Sequence, residues 1–428
     1  MSEAEPSLPG GLTLEPFRAT RYAGVDLAAV TSPPYDVVEP DSSKRLEASN
    51  PYNVVRLILP RDVEASDRYR EATRVWHSWL HDKVLSTDDQ DALWVYEQTG
   101  AAGLLVGVVG TIPIDRPTAV LPHEDVMPVP VADRAELMDS IGANLEPILL
   151  VHDPAPSLPA GQTVSVTTQI LEEVRRTAPA FEVATDDGAY HRLWAVTDRH
   201  THAQISADLQ QRSALIADGH HRFVAYQRIQ RRRRLQSEPT VEQPWDRGLA
   251  LVVDGHAHPL RLGAIHRVVH GLNWATATAL LGPGIEQHNV RNLAAAQTWL
   301  GETSSVPRLV VTDSHEWTGL TAPDAIELVP RPDRSPQWRQ LPTAVLHELL
   351  LPHRWQVRDD AVTYHHDIPG ALRTAVGEGI AVLLPALPLT TVIDRAAAGE
   401  LLPRKSTSFG PKPRTGLLMR TFDDANQS

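Results

Sequence analysis

Apolar positions change period along the chain, and each change predicts an element. Between Leu14 and Pro60, short apolar runs alternate with turns. In SPPYD (32–36), the start of SPPYDVV, each residue before a proline avoids the helical region, so the stretch reads as extended. NPYNVVRLILP (50–60) ends in an unbroken run, Val54 to Leu59, that reads as a strand closed by Pro60. The period then lengthens: Tyr69, Ala72, Val75 or Trp76, and Trp79 or Leu80 share one helical face over 66–82, with Ser66 or Asp67 as cap. Strands are predicted at 92–98, 103–114, 146–153, 191–198, 247–254, 307–313, 325–330 and 379–387. Helices are predicted at 132–145, Thr168 to Arg176, 274–282, 292–302, 343–352 (stopped by Pro352) and 390–401. LPHEDVMPVP (121–130) reads as extended or looped. SALIADGHHRFVAYQRIQRRRRLQ supplies strand, turn and helix in succession.

This mixture predicts an α+β protein. Its expected parts are a disordered leader (1–13), an N-terminal mixed domain (14–120), a second domain (121–262) interrupted by a Pro-, Thr- and Ala-rich stretch (154–190), a C-terminal domain (263–422) and a frayed tail (423–428). The length, 428 residues, exceeds one ordinary core. No run of eighteen apolar residues occurs, so no transmembrane helix and no membrane partner are expected. MSEAEPSLPGG lacks the basic and apolar regions of a secretion signal. The absence of cysteine excludes disulfides, cysteine nucleophiles and thiolate metal sites, and it fits a cytoplasmic location. A formal charge of −13 repels phosphate backbones, so no nucleic-acid partner is expected. It leaves room for a small basic pocket.

The densest chemistry lies in LIADGHHRFVAY (215–226). Phe223, Tyr226 and Ile229 recur at helical spacing, so a helix begins at Gly219 or His220, directly after a buried strand. Its first amides lack acceptors and carry the positive end of the dipole. Gly219 removes a Cβ, and His220, His221 and Arg222 add donors, which together suit nucleotide phosphates. Asp218 is placed to cap the helix or to hold Mg²⁺. The bland alternative is an Asp-Gly turn with surface histidines.

Other candidates surround this one. In HED (123–125), Glu124 is a candidate general base for a substrate hydroxyl. PRKSTSFGPKPRTG (403–416) gathers Arg404, Lys405, Lys412 and Arg414 around hydroxyls, with Lys405, Ser406 and Thr407 as contacts to outer phosphates. Its glycine spacing is not that of a P-loop. Tyr35 and Asp36 are candidates for the substrate amine, and Arg267 for a further cation. The tract Arg231–Arg234 sits in late helical turns and reads as a solvated face. DGHAH (254–258), YHHD (364–367) and His347-Glu348 lack paired ligand spacing and read as structural. No G-x-S-x-G is present, which argues against an α/β-hydrolase.

The order His-Glu, then Asp-Arg-x-x-Leu-Met-x-Ser-Ile, then EPILLV, then IADGHHRFVAY resembles the ParB/sulfiredoxin-like superfamily. The D-G-H-H-R form resembles the free serine kinases within it. That resemblance implies a ParB/sulfiredoxin-like domain at 121–262, embedded between mixed α/β units. It implies phosphoryl transfer from ATP or ADP to a hydroxyl of a small metabolite such as serine, with Mg²⁺. Glu124 takes the position of the catalytic glutamate, and Asp218, His220, His221 and Arg222 match the phosphate-binding and catalytic motif. The stretch between EPILLV and the motif is longer here than in the smaller members. PFRATRY, SPPYDVV, NPYNVVRL, LPHED, IADGHHR, IHRVV (265–269) and KSTSFGPK (405–412) together resemble the bacterial domain-of-unknown-function family ten-fifteen. Two alternatives remain beside the phosphotransferase: a nucleotide-binding regulatory switch without catalysis, and a metal-dependent phosphatase. A homodimer is compatible with all three.

Overall fold

The computed structural model describes residues 11–38, 40–61, 67–115, 119–152, 164–237 and 241–422. They fall into two compact units: Met1–Pro122 with Val126–Arg261 and Gly410–Ser428, and His123–Asp125 with Leu262–Phe409.

The first unit is built on an eight-stranded mixed sheet. Its strands are β1 (Leu93–Gly100), β2 (Gly103–Pro113), β3 (Val120–Leu121), β4 (Ile148–His152), β5 (Phe181–Ala184), β6 (Tyr190–Val196), β7 (Ala214–Asp218) and β8 (Arg247–Asp254). The spatial order is β3-β7-β4-β8-β2-β1-β6-β5. The β3–β7 and β4–β8 pairs are parallel and the rest antiparallel. Every residue of β4 and β7 is buried, which is why both read as continuous apolar runs. Around the sheet lie α1 (Arg68–His81), α2 (Pro128–Ile141), α3 (Val166–Val174), α4 (Arg199–Leu209) and α5 (His220–Ser237). Ile148, Leu150, Ile216 and Val252 of the sheet join Phe223, Tyr226 and Ile229 of α5 in one core. Each such side chain contributes about 1.5–3 kcal/mol on burial. A second core joins Leu57, Ile58, Trp76 and Trp79 to Leu137 and Ile141 of α2.

This sheet corrects the expected domain boundary near residue 120. Strand β2 pairs with β8 over six positions, so 14–120 and 121–262 share one sheet. Nor does the C-terminal segment stay with 263–409: Arg420–Thr421 pairs with Ala143–Asn144, and Thr415 with Ser32. Leu12, expected in the leader, is buried, and its amide donates to Arg212 O at 2.8 Å. The rest of the leader before Gly11, the tail 423–428 and residues 154–163 of the expected insertion lie outside the described residues.

Four local expectations also change. Val55–Ile58 is a helical turn, not a strand. Asn53 Oδ1 accepts from Val55 N, its Nδ2 donates to Ala29 O, and Val55, Leu57 and Ile58 are all buried. A short run buried on all sides has no readable period. The same ambiguity explains the helical turn Ala325–Leu328 where a strand was expected. Pro352 does not stop its helix, because the wide π-type turn Val345–Arg354 passes through it. The arginine tract is not simply solvated. Arg232 bridges Glu136 and Asp139, Arg233 pairs with Asp139 and lies over Trp245, and Arg234 pairs with Asp246. The tract thereby ties α5 to α2.

The second unit carries an antiparallel six-stranded sheet. Its strands are β9 (His266–His270), β10 (Glu286–Asn289), β11 (Arg308–Thr312), β12 (Trp317–Thr321), β13 (Val362–His365) and β14 (Gly379–Leu383), in the order β10-β12-β11-β14-β9-β13. Val268, Val310, Ala381 and Leu383 pack against Ala296, Ala371 and Ala375.

Each sheet buries a histidine. Burial lowers His191 on β6 to about 4, helped by Arg414, and lowers His266 on β9 to about 4, helped by Arg267. Between those values and the ordinary 6.5, the unfolded chain binds more protons than the folded one. Stability should therefore rise with pH across that window. Urea midpoints measured from about pH 4.5 to 7 should increase, and His191→Gln should flatten the rise in the first unit. An unchanged slope in that variant would contradict the assignment.

Candidate functional site

Strand β7 ends at Asp218, where its pairing with β4 slips between Ile216 and Asp218. Gly219 then takes φ +96°, and a Cβ there would lie 2.9 Å from Ile148 Cγ2. A glycine is thus required both by the backbone and by its packing. The first bond into α5 is Phe223 N–H to Gly219 O at 2.9 Å. The amides of His220, His221 and Arg222 precede it, at the positive end of an 18-residue helix. Phe223, Tyr226 and Ile229 are buried, as their spacing predicts.

Behind this turn runs a buried chain of charges within the first unit. Lys412 Nζ lies 2.5 Å from Asp36 Oδ2 and 2.6 Å from Asp218 Oδ1. Asp218 Oδ2 takes Arg222 Nη2 at 2.5 Å. Arg222 Nη1 donates to Pro147 O at 2.5 Å and stands 3.9 Å from Glu146 Oε2. Glu146 Oε1 accepts from Tyr35 N at 3.1 Å and from Thr415 Oγ1 at 2.7 Å. Tyr35 lies under the Arg134 guanidinium, 4.5 Å from centroid to Cζ. Burial pushes the Lys412 ammonium down, but Asp218 and Asp36 push it up further, so it ends raised. Arg222 is raised in the same way, burial opposing and Glu146 and Asp218 prevailing. Burial, then Asp36, raises the Tyr35 phenol.

The structure therefore brings Tyr35, Asp36, Asp218, Arg222 and Lys412 together, but it changes their roles. Arg222 is committed inward to Asp218, Pro147 and Glu146, so it does not cradle phosphates directly. Lys412 is likewise held between two carboxylates. Asp218 holds Arg222 on one carboxylate oxygen and Lys412 on the other. Among the described residues no group of three or more His, Asp or Glu is arranged to hold a metal. His221 Nε2 accepts the Met127 amide at 3.1 Å, which fixes that nitrogen as unprotonated at the start of α2. His220 is buried beside it in sequence. The backbone amides at the start of α5 stand ahead of its first helical bond. Sequence reasoning missed Glu146 and Thr415 as partners. The signal for Glu146 was a carboxylate one proline ahead of the apolar run ILLV.

The remaining candidates sit in the second unit. Glu124 Oε2 accepts from Ser406 N at 3.2 Å. Ser406 Oγ donates to Pro403 O at 2.5 Å, and Thr407 Oγ1 contacts His123 Nε2 at 2.7 Å. Both hydroxyls are buried, which corrects their expected contact with outer phosphates. Arg267 is fully buried and donates to Lys405 O at 2.8 Å and to His347 Nε2 at 3.1 Å. Burial lowers its guanidinium to about 10. It braces the 404–407 loop and is not a substrate cation. Lys405 adopts φ +57° in that loop, and its ammonium has no ion partner among the described residues.

A family model described as a protein of unknown function, DUF1015, matches residues 14–344. The chain belongs to this family. Among solved structures, the DUF1015 chain is similar to a conserved hypothetical protein from Pyrococcus furiosus, at 15% identity over 71% of this chain and 90% of that one, with TM-score 0.37. It is similar to a free serine kinase in complex with AMP at 14% identity over 71% and 87%, TM-score 0.37. It is also similar to C-terminally truncated SbnI from Staphylococcus aureus at 11% identity over 74% and 92%, TM-score 0.36. No curated protein matches the chain. Among the described residues, no helix is long and apolar enough to cross a membrane.

Proposed function

We propose that this DUF1015 protein is a nucleotide-dependent phosphotransferase whose acceptor is a hydroxyl of a small metabolite. One observation carries the reading: the Asp-Gly-His-His-Arg turn stands at the end of a buried strand, its first helical amides ahead of the α5 hydrogen-bond ladder. Oriented amides at a helix start are matched to phosphate oxygens. The buried charges behind them hold the turn rigid, so little reorganisation accompanies binding. The ion-paired Arg222 and Lys412 position the turn without touching the ligand.

The acceptor hydroxyl gives its proton to a base, its oxygen attacks the terminal phosphorus of ATP or ADP, and the bond to the leaving nucleotide breaks. The motif resemblance gives the base role to Glu124 and assigns serine-like acceptors. Positioning and electrostatics dominate such transfers. The direct test incubates the full chain with ATP or ADP, with and without Mg²⁺, and with a panel of hydroxyl amino acids and sugars. Mass analysis should find a phosphorylated acceptor and a nucleotide one phosphate shorter. Unchanged nucleotide would leave only a binding switch, and phosphate released without an acceptor would indicate a phosphatase. Either result overturns the reading.

A further inference from the structure

Apart from the turn at Gly219, the first unit holds a cleft of about 150 Å³ lined by Leu59, Arg61, Arg68, Tyr69, Asp133 and Arg134 among others. Three guanidiniums and one carboxylate in so small a space are unusual for a chain of formal charge −13. The carboxylate is already used up. Asp133 Oδ2 takes Arg134 Nε at 3.0 Å as well as Arg134 Nη2, while Oδ1 takes Tyr69 OH at 2.8 Å and Arg68 Nη2. Asp133 therefore fixes two guanidiniums and a phenol and leaves the cleft net positive. Arg134 is spent on Asp133 and Ile58 O. Arg68 is only partly so: its Nη2 donates to Tyr69 OH at 2.6 Å and to Asp133, while its Nε is buried without a hydrogen-bond partner among the described residues. Arg61 makes one bond, from Nη1 to Pro40 O at 3.1 Å, and stands 3.9 Å from Glu47. An unsatisfied buried guanidinium N–H calls for an acceptor.

We propose that this cleft is a binding site for a small oxyanion, the phosphate or carboxylate group of a metabolite, held by Arg68 and Arg61. Asp133, Tyr69 and Arg134 preset the geometry. Arg134 also lies over Tyr35, whose amide donates to Glu146 beside Arg222. An anion in the cleft is thus one contact chain away from the Gly219 turn. The site does not depend on the phosphotransferase reading.

Calorimetric titration of the full chain with inorganic phosphate, and separately with succinate, tests it. Both titrations are run with and without ADP, so that failure of nucleotide binding and failure of the cleft are seen separately. Wild type should bind at least one probe saturably, and the tighter probe identifies the group. Arg68→Gln and Arg61→Gln should each weaken that binding about tenfold or more while leaving ADP binding unchanged. Arg61 faces Glu47 only across 3.9 Å and makes no hydrogen bond to it among the described residues, so its variant remains informative if Arg68→Gln folds poorly. Binding of neither probe, or affinity within about twofold of wild type in Arg61→Gln, overturns the proposal.

Discussion

Replacing Lys412 with methionine should destabilise the first unit by about 3–5 kcal/mol, the usual loss when one partner of a buried ion pair is removed. The ammonium bridges Asp36 and Asp218 at 2.5 and 2.6 Å, and its side chain is only 11% exposed. Without it, two carboxylates face each other in a buried place with one guanidinium, that of Arg222, left to serve Asp218. A second change, Asp36→Asn, should recover part of the loss, because it removes one of the stranded charges. Urea denaturation of the single and double variants measures both effects. The sign of the pH dependence follows from the raised ammonium. The contribution is fully present below the ordinary lysine value and is lost as pH rises toward the folded one. Wild type should therefore lose more stability than Lys412→Met on going to strongly alkaline pH. A Lys412→Met variant as stable as wild type would show that the charge chain does not organise the turn.

Glu124→Gln should lower turnover about 10²–10⁴-fold, the range for loss of a general base. Nucleotide affinity should stay within about twofold, since the change leaves the phosphate-binding amides intact. Glutamine keeps an oxygen that can accept the Ser406 amide now bound by Glu124 Oε2, so the loop should stay in place. What disappears is basicity. Direct binding and steady-state rates on the same variant separate the two effects. Equal loss of affinity and turnover would contradict the division of roles.

Much of the turn was legible in the sequence. The apolar run before Asp218, the glycine, and Phe223, Tyr226 and Ile229 at helical spacing predict a strand handing over to a helix, and the structure has that handover. Periodicity could not show what Asp218 meets. Its partners, Lys412 and Arg222, include one residue from the far end of the chain, and Asp36 reaches the same ammonium from the other end. Sequence alone assigns a cation near a glycine turn to a ligand. Whether it is instead spent on a buried carboxylate depends on tertiary pairing. The same limit governs the arginine tract, where Glu136 and Asp139 of another helix decide the role of Arg232. The domain boundary failed for a related reason. Strands β2 and β8 are far apart in sequence, and apolar runs do not declare which neighbour they pair with. In Val54 to Leu59 the failure was local, since a short segment buried on every side carries no period.

Amide hydrogen exchange over residues 215–226, with and without saturating ADP, tests the central claim most directly. The amides of His220, His221 and Arg222 should become protected when nucleotide is added, at the start of α5 and before the first helical bond at Phe223. Saturable ADP binding with no change in exchange across that turn, or no ADP binding at all, would contradict it.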